Sequence, residues 1–292
     1  MKKNKIIGID IGGTKVHMGV VQDGKIINAL KFSTLAHAPE REILNDLKKG
    51  IEKLMQPDIA GIGIGVPGLV NEDLGIVYDV LNIPNWRKVY LKDFLQEEFS
   101  KPVYLTNDAN IFAAGIKMYG AGKEYKNIVG ITLGTGFGTG IIVDHSIYSG
   151  KYSSAGEYGG MPYLDKTLED YCSGKFFQQN CGISGKEVML QAQKGNLHAL
   201  QILKQYGRHL GNAIKLILYS ISPEAIFLGG SITKGYEYFK EAMEDSIKEF
   251  PFKLIVEDLI VRKAQMPNAA ILGSAALFQM RSEQVVQVSS HP

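Results

Sequence analysis

A glycine-rich hairpin that occurs twice constrains this 292-residue chain more than any other feature. In the first copy the apolar run Lys5–Ile11 meets Gly12-Gly13-Thr14, and a second run, Val16–Val21, leads to the turn Asp23-Gly24. In the second copy Ile128–Leu133 meets Gly134-Thr135-Gly136-Phe137-Gly138, and Ile141–Val143 leads to Asp144-His145. A shift of 121 positions lays Gly13-Thr14 on Gly134-Thr135, Gly19 on Gly140 and Asp23 on Asp144. Apolar runs bounded by Gly and Asp read as strands joined by tight turns. Two copies are too few for a solenoid. They predict two similar lobes, each opening on a strand–turn–strand hairpin; the other reading is that short glycine-rich hairpins look alike by chance. The length, great for one compact domain, also favours two lobes.

Around the hairpins, strands and helices alternate. Lys25–Lys31 is expected as a strand, and Glu40–Met55 as a helix behind Pro39, with Ile43, Leu47, Ile51 and Leu54 at helical spacing. A strand at Ile59–Val66, a helix at Tyr90–Phe99, a strand at Val103–Thr106 and a helix at Asn107–Tyr119 follow. In the second half helices are expected at Leu168–Gln179, Lys186–Lys194, Leu197–Ser220 and Tyr236–Phe250, with strands at Ala225–Leu228 and Leu259–Arg262. This alternation places the chain in the α/β class. The expected division is a small lobe at 1–110, onto which the last helix (269–280) packs back, a larger lobe at 111–268, and a polar, fraying tail at 281–292.

Composition excludes several function classes. A net charge of +2 weighs against a dedicated nucleic-acid or anionic-membrane binder. The N-terminal apolar stretch is broken by Asp10 and is too short for a signal peptide, and no run of 18 apolar residues occurs. A cytoplasmic protein with reduced thiols is expected. Two cysteines, Cys172 and Cys181, exclude a disulfide scaffold and a four-cysteine metal site and read as free thiols. The six histidines (17, 37, 145, 198, 209 and 291) form no constellation, and there is no G-x-S-x-G turn.

The glycine turns carry the chemistry. Without Cβ atoms, Gly12-Gly13-Thr14 lets backbone N–H groups approach phosphate oxygens; Thr14 adds a hydroxyl and Lys15 a positive charge. Asp10 is a poor phosphate ligand but a good Mg²⁺ ligand, directly or through water. This is no Walker A loop: Thr14-Lys15 is in the wrong order and no helix follows. Either turn alone could be an ordinary hairpin, whereas the pair suggests a polyphosphate clamped between two lobes. Gly63-Ile64-Gly65-Val66-Pro67-Gly68 matches the dinucleotide fingerprint formally but leads into no helix, so that reading is rejected. Asn107-Asp108 at a helix start reads either as capping or as a carboxylate able to accept a proton. Asn82 reads as a ligand contact or as turn chemistry. Glu157 and Glu169 read as a grip on sugar hydroxyls or as solvated loop acids.

Taken together, these residues resemble the ROK family of sugar kinases, of the two-lobed actin/hexokinase/Hsp70-like ATPase fold with its duplicated βββαβα core, over roughly residues 5–280. Asp10-Ile11-Gly12-Gly13-Thr14-Lys15 is similar to the family's first phosphate loop, and Gly134–Gly138, with Thr135, Gly136 and Gly138, to the second. Gly65-Val66-Pro67-Gly68 resembles the segment beside the sugar. Asn107-Asp108-Ala109-Asn110 resembles the sugar-binding and catalytic stretch, which makes Asp108 the base. Ala155-Gly156-Glu157 resembles the grip on the sugar ring, and Gly229-Gly230 the pair near adenosine. One departure matters. Family members usually carry a His where this chain has Gly160, then a cysteine cluster that binds zinc with it; here Met161–Leu168 is short, the cluster is absent, and Glu169 resembles the acid that follows it. Zinc is therefore expected to be absent, Cys172 does not restore it, and the sugar loses a His contact.

The resemblance implies an ATP- and Mg²⁺-dependent hexose kinase, acting first on the 6-OH of glucose, with MgATP between the lobes and a homodimer or homotetramer as the assembly. N-acetylmannosamine and N-acetylglucosamine are the alternative substrates of the same fold. A non-catalytic sugar-sensing regulator is the alternative from another class, though the chain begins at its first strand with no room expected for a helix-turn-helix. A chaperone-like ATPase would need a peptide-binding domain, for which no room is expected either.

Overall fold

The structure is a computed structural model that describes residues 5–289, with side chains as far as residue 283. Its first elements are β1 (Lys5–Ile11), β2 (Lys15–Gln22) and β3 (Lys25–Ser33), an antiparallel meander. Asp23 and Gly24 both take positive φ (52° and 72°), the geometry that a two-residue hairpin turn requires. Helix α1 (Glu40–Leu54) buries Ile43, Leu44, Leu47, Ile51 and Leu54, the stripe that its spacing predicts. Strand β4 (Ile59–Val66) follows, then three short strands with no periodic signal in the sequence: β5 (Leu69–Asn71), β6 (Ile76–Tyr78) and β7 (Lys88–Val89). Helix α2 (Leu91–Phe99), β8 (Val103–Asn107) and α3 (Asp108–Tyr119) complete this half.

The pattern then restarts with β9 (Ile128–Leu133), β10 (Phe137–Val143) and β11 (Ser146–Ile147). A small hairpin, β12 (Pro162–Tyr163) and β13 (Lys166–Thr167), precedes α4 (Leu168–Cys172), α5 (Gly174–Cys181), α6 (Gly185–Gln193) and α7 (Leu197–Ser220). The expected single helix at 168–179 is thus two. Ser173 breaks it in extended geometry (φ −120°, ψ −171°) and caps α5 by accepting from the Lys175 N–H. Strand β14 (Ala225–Gly229), helices α8 (Tyr236–Lys248) and α9 (Lys253–Asp258), β15 (Ile260–Lys263) and α10 (Ala269–Ser289) end the chain.

The two five-stranded sheets share one order. It is β3-β2-β1-β4-β8 in the first and β11-β10-β9-β14-β15 in the second, which is third, second, first, fourth, fifth strand in each. The duplication suggested by the 121-residue shift therefore extends to whole sheets. The division into units differs from the expected boundary at 110/111. Among the described residues one unit holds 5–124, 140–155 and 265–289; the other holds 125–139 and 156–264. A cut at 110 would sever α3, whose face from Ala109 to Lys117 is buried.

In the first unit α10 lies against β1 and β4, and Ser274 Oγ donates to the Ile9 carbonyl at 2.7 Å. That contact explains the glycines of β4. A Cβ on Gly63 would come within 1.9 Å of the Ser274 carbonyl oxygen. The Gly-x-Gly run that mimics a dinucleotide fingerprint thus serves close packing of helix on sheet. The expected tail from Arg281 is instead the continuation of α10 to Ser289, and 290–292 lie outside the described residues. Arg281 pairs with Glu72 and donates to Ser149 Oγ at 3.1 Å. Glu72 also accepts from Thr106 (2.5 Å) and Ser153 (2.8 Å). Among the described residues no helix is long and apolar enough to cross a membrane.

Candidate active site

Parallel strands place their carboxyl ends side by side, and ligands of open α/β sheets bind at that edge. In the first unit β1, β4 and β8 are parallel neighbours, with Asp10 in register with Gly65 and Val66 with Asn107. The edge therefore gathers Asp10, the Gly12–Thr14 turn, Pro67-Gly68 and Asn107-Asp108 from segments far apart in sequence. The turn is closed by the Gly12 N–H donating to the Lys15 carbonyl at 2.9 Å, while Thr34 Oγ1 donates to the Gly12 carbonyl at 2.6 Å. Thr14 and Lys15 are exposed. A Cβ on Gly13 would lie 2.4 Å from the Asn82 Cβ, so turn and Asn82 are in contact.

Asn107 and Asp108 divide the two readings left open by the sequence. Asn107 is the cap of α3: its Oδ1 accepts from the Ala109 N–H at 2.8 Å, and its Nδ2 donates to the Gly68 carbonyl at 3.2 Å. Asp108 is the first helical residue, so its carboxylate faces the positive end of the helix without serving as the cap. It keeps solvent contact along one side and has protein packed around the rest. That packing pushes its pKa up; backbone N–H groups of Ala109 and Asp108 itself oppose the rise, and its open side lets water temper it. Asp10 is pushed up to about 6 by burial and then by repulsion from Asp108, with Lys31 opposing. Lys31, His17, Asp10 and Gly65 form one cross-strand row, which accounts for the influence of Lys31. This edge is rich in carboxylate and carbonyl oxygen, the donor chemistry of a hard divalent cation that keeps waters and phosphate as its other ligands.

The second unit builds a matching edge. Gly229 closes β14 in register with Thr132 of β9, so Gly229-Gly230 and the Gly134–Gly138 turn emerge together. Gly230 has φ +90°, and its carbonyl accepts from Thr233 Oγ1 at 2.8 Å. Thr135 is exposed, and a Cβ on Gly136 would come within 2.8 Å of Glu169 Oε2. Beside the turn opens a cavity of about 740 Å³ whose wall includes Thr135, Met189, Leu190, Ile232 and Tyr238, with Lys175, Lys186 and Lys234. Its apolar part suits a flat aromatic ring and its ammonium groups suit phosphate. A cavity of about 680 Å³ in the first unit, around Glu72 and Arg281, contains none of the residues singled out from the sequence.

The two acids of this unit are held differently. Glu157 is exposed, and its loop is fixed where Thr139 Oγ1 donates to the Gly156 carbonyl. Glu169 has both oxygens engaged: Oε2 accepts from the Phe137 N–H at 3.1 Å, and Oε1 pairs with Lys175 at 2.7 Å. Gly160 is exposed, and a Cβ there would meet nothing within 4 Å. Among the described residues no group of three or more His, Cys, Asp or Glu is placed to hold a metal ion. The β12–β13 hairpin is held by side chains of α4 and α7. Tyr163 OH bonds His209 Nδ1 at 3.0 Å and accepts from Asn212 at 2.7 Å, and the Tyr171 ring lies 4.8 Å from His209. Cys172 is buried, which pushes its thiol pKa far up, and Cys181 is half-buried; neither is bonded to the other. Lys31, Thr34 and Lys175 carry no motif, and only the folded neighbourhood reveals them.

A sequence model described as the ROK family matches residues 6–281. The chain is 27% identical to a glucokinase of Thermotoga maritima, over 96% of this chain and 99% of that one. It is 30% identical to a xylose repressor of Bacillus subtilis, over 93% of this chain and 76% of the repressor. Among solved structures, a ROK family glucokinase of Streptomyces griseus in complex with glucose and AMPPNP superposes with a TM-score of 0.79 at 26% identity, over 94% of this chain and 99% of that one.

Proposed function

The chain belongs to the ROK family, and from that premise we propose that it is an ATP-dependent sugar kinase that phosphorylates a hexose hydroxyl, with glucose to glucose 6-phosphate as the first reading. Asp108 carries the reading. A carboxylate with a raised pKa, at a strand's carboxyl end beside a glycine turn and not used as a cap, is suited to accept a proton. In the proposed step the sugar oxygen forms a bond to the γ-phosphorus while the bond from that phosphorus to the ADP oxygen breaks. The hydroxyl proton passes to Asp108. In the first unit Gly68, Asn82 and Asn107 are the candidate sugar contacts; in the second, Glu157 and Glu169 are candidate acceptors for sugar hydroxyls. In the first unit the N–H groups of Gly13 and Thr14 are offered to phosphate oxygens, the Gly12 N–H being used to close the turn, and Lys15 adds charge; in the second the N–H groups of Thr135, Gly136 and Gly138 are offered likewise, and Gly229-Gly230 leaves room for the adenosine. Positioning and charge stabilisation of this kind supply most of what phosphoryl transfer needs.

The repulsion between Asp10 and Asp108 is the observation that fits Mg²⁺: a cation held by Asp10 through water would relieve it. Bound to the nucleotide, Mg²⁺ would neutralise charge on the transferred group. N-acetylmannosamine and N-acetylglucosamine are retained as acceptors because similar proteins include an N-acetyl-D-glucosamine kinase of Histophilus somni and a putative N-acetylmannosamine kinase of Listeria monocytogenes. The test is ADP release with MgATP against glucose, mannose, fructose, allose and the two N-acetylhexosamines, with phosphorus NMR of the product. Turnover with one or two sugars and a phosphomonoester product supports the reading. Flat rates from protein that binds ATP overturn it in favour of a sugar-sensing regulator.

A further inference from the structure

Lys175 stands where two parts of the second unit meet. It is the second residue of α5, whose start is pinned to the phosphate turn by the Gly174 N–H donating to the Gly134 carbonyl at 2.7 Å. Lys175 forms part of the wall of the 740 Å³ cavity together with Gly134 and Thr135. Its ammonium pairs with Glu169 Oε1 at 2.7 Å, and the other oxygen of Glu169 accepts from Phe137, inside the turn. As the side chains stand, neither Glu169 oxygen is without a partner. Yet the pair is weakly committed: the Lys175 side chain is 47% exposed and that of Glu169 31%. Ion pairs this open contribute little, so a stronger anion can take the lysine at small cost.

We propose that Lys175 is a positioning residue that couples nucleotide binding to sugar binding. A polyphosphate seated beside Thr135 offers Lys175 more negative charge than one carboxylate does. When Lys175 turns to it, Glu169 keeps its bond to Phe137 and frees Oε1 for a sugar hydroxyl. Without nucleotide, Lys175 competes with the sugar for the same oxygen. Each ligand then strengthens the other by the same factor, as linkage requires. This inference rests on the kinase reading above and deepens it by naming a residue that couples the two ligands.

The experiment is sugar titration by calorimetry in the absence and presence of saturating AMPPNP and Mg²⁺, on wild type, Lys175→Met and Lys175→Arg, with the best sugar of the turnover panel. Wild type is expected to bind sugar several-fold tighter with nucleotide, within the range of about 5–150-fold usual for such coupling. Lys175→Met should bring the ratio close to one, chiefly by tightening sugar binding without nucleotide, and Lys175→Arg should restore it. A lysine that merely braces α5 would weaken sugar binding in both titrations and leave the ratio unchanged. That result, with wild-type turnover intact, overturns the inference alone. Wild type that turns over no sugar and binds none overturns the kinase reading as well.

Discussion

At the residue scale the central pair is Asp10 and Asp108, two acids whose ionised forms the fold disfavours. For Asp10 the carboxyl moves from 3.8 in the unfolded chain to about 6 in the folded one. The folded state therefore holds the Asp10 proton more tightly. Its contribution to stability is full below pH 4 and is lost as pH rises through 6, by at most about 3 kcal/mol at 1.36 kcal/mol per unit. Asp10→Asn removes this penalty. Without nucleotide or Mg²⁺ the variant should melt higher than wild type at pH 7, with the gap closing near pH 4; a variant that melts lower at both pH values contradicts the assignment. Asp108 bears on the rate. Its raised pKa predicts that kcat/KM falls on the acid side with an apparent pKa above the usual carboxylate range, and the value belongs to the Asp10–Asp108 pair and not to one residue. A profile that stays flat down to pH 4 would remove Asp108 from the role of base.

At the element scale the fit between β4 and α10 decides whether the first site edge is held at all. Gly63→Ala drives a methyl toward the Ser274 carbonyl, and overpacking of this kind costs about 1–3 kcal/mol or more. Thermal unfolding should show that loss, while an alanine at Gly160, in open space, should leave stability unchanged. Strands β1, β4 and β9 and helices α1 and α7 could be read because continuous apolar runs and a 3.6-residue period are local signals. The strands β5–β7 and the break at Ser173 could not: three-residue strands have no period, and Ser173 breaks its helix because Gly174 is pinned to a turn forty residues earlier in the chain. The site divides likewise. The glycine turns and Asn107-Asp108 are contiguous strings, whereas Lys31, Thr34 and Lys175 gain their roles only from strand register and helix docking.

At the scale of the whole molecule, the last helix belongs with the first strands. Residues 265–289 fall in the same unit as 5–124, and α10 carries Ile271, Ala275 and Phe278 into a cluster with Ile6 and Val21. Ending the chain at Ala264 should therefore unfold the first unit while the second, which closes its sheet with β14 and β15, keeps its secondary structure. Limited proteolysis should then leave a protected fragment covering much of 156–264; protection of 5–119 instead would contradict this division. The duplicated sheet order also explains why the two phosphate turns recur at equivalent places: each follows the first strand of its sheet.

The most direct test of the account is sugar-dependent ADP release by wild type beside Asp108→Asn, with circular dichroism and ATP affinity measured on both. The account predicts sugar-stimulated turnover in wild type, a loss of about 10²–10⁴-fold in kcat in the variant, and equal folding and ATP binding. A variant that keeps most of its kcat would contradict the role of Asp108, and ADP release that ignores sugar in both proteins would contradict the kinase itself.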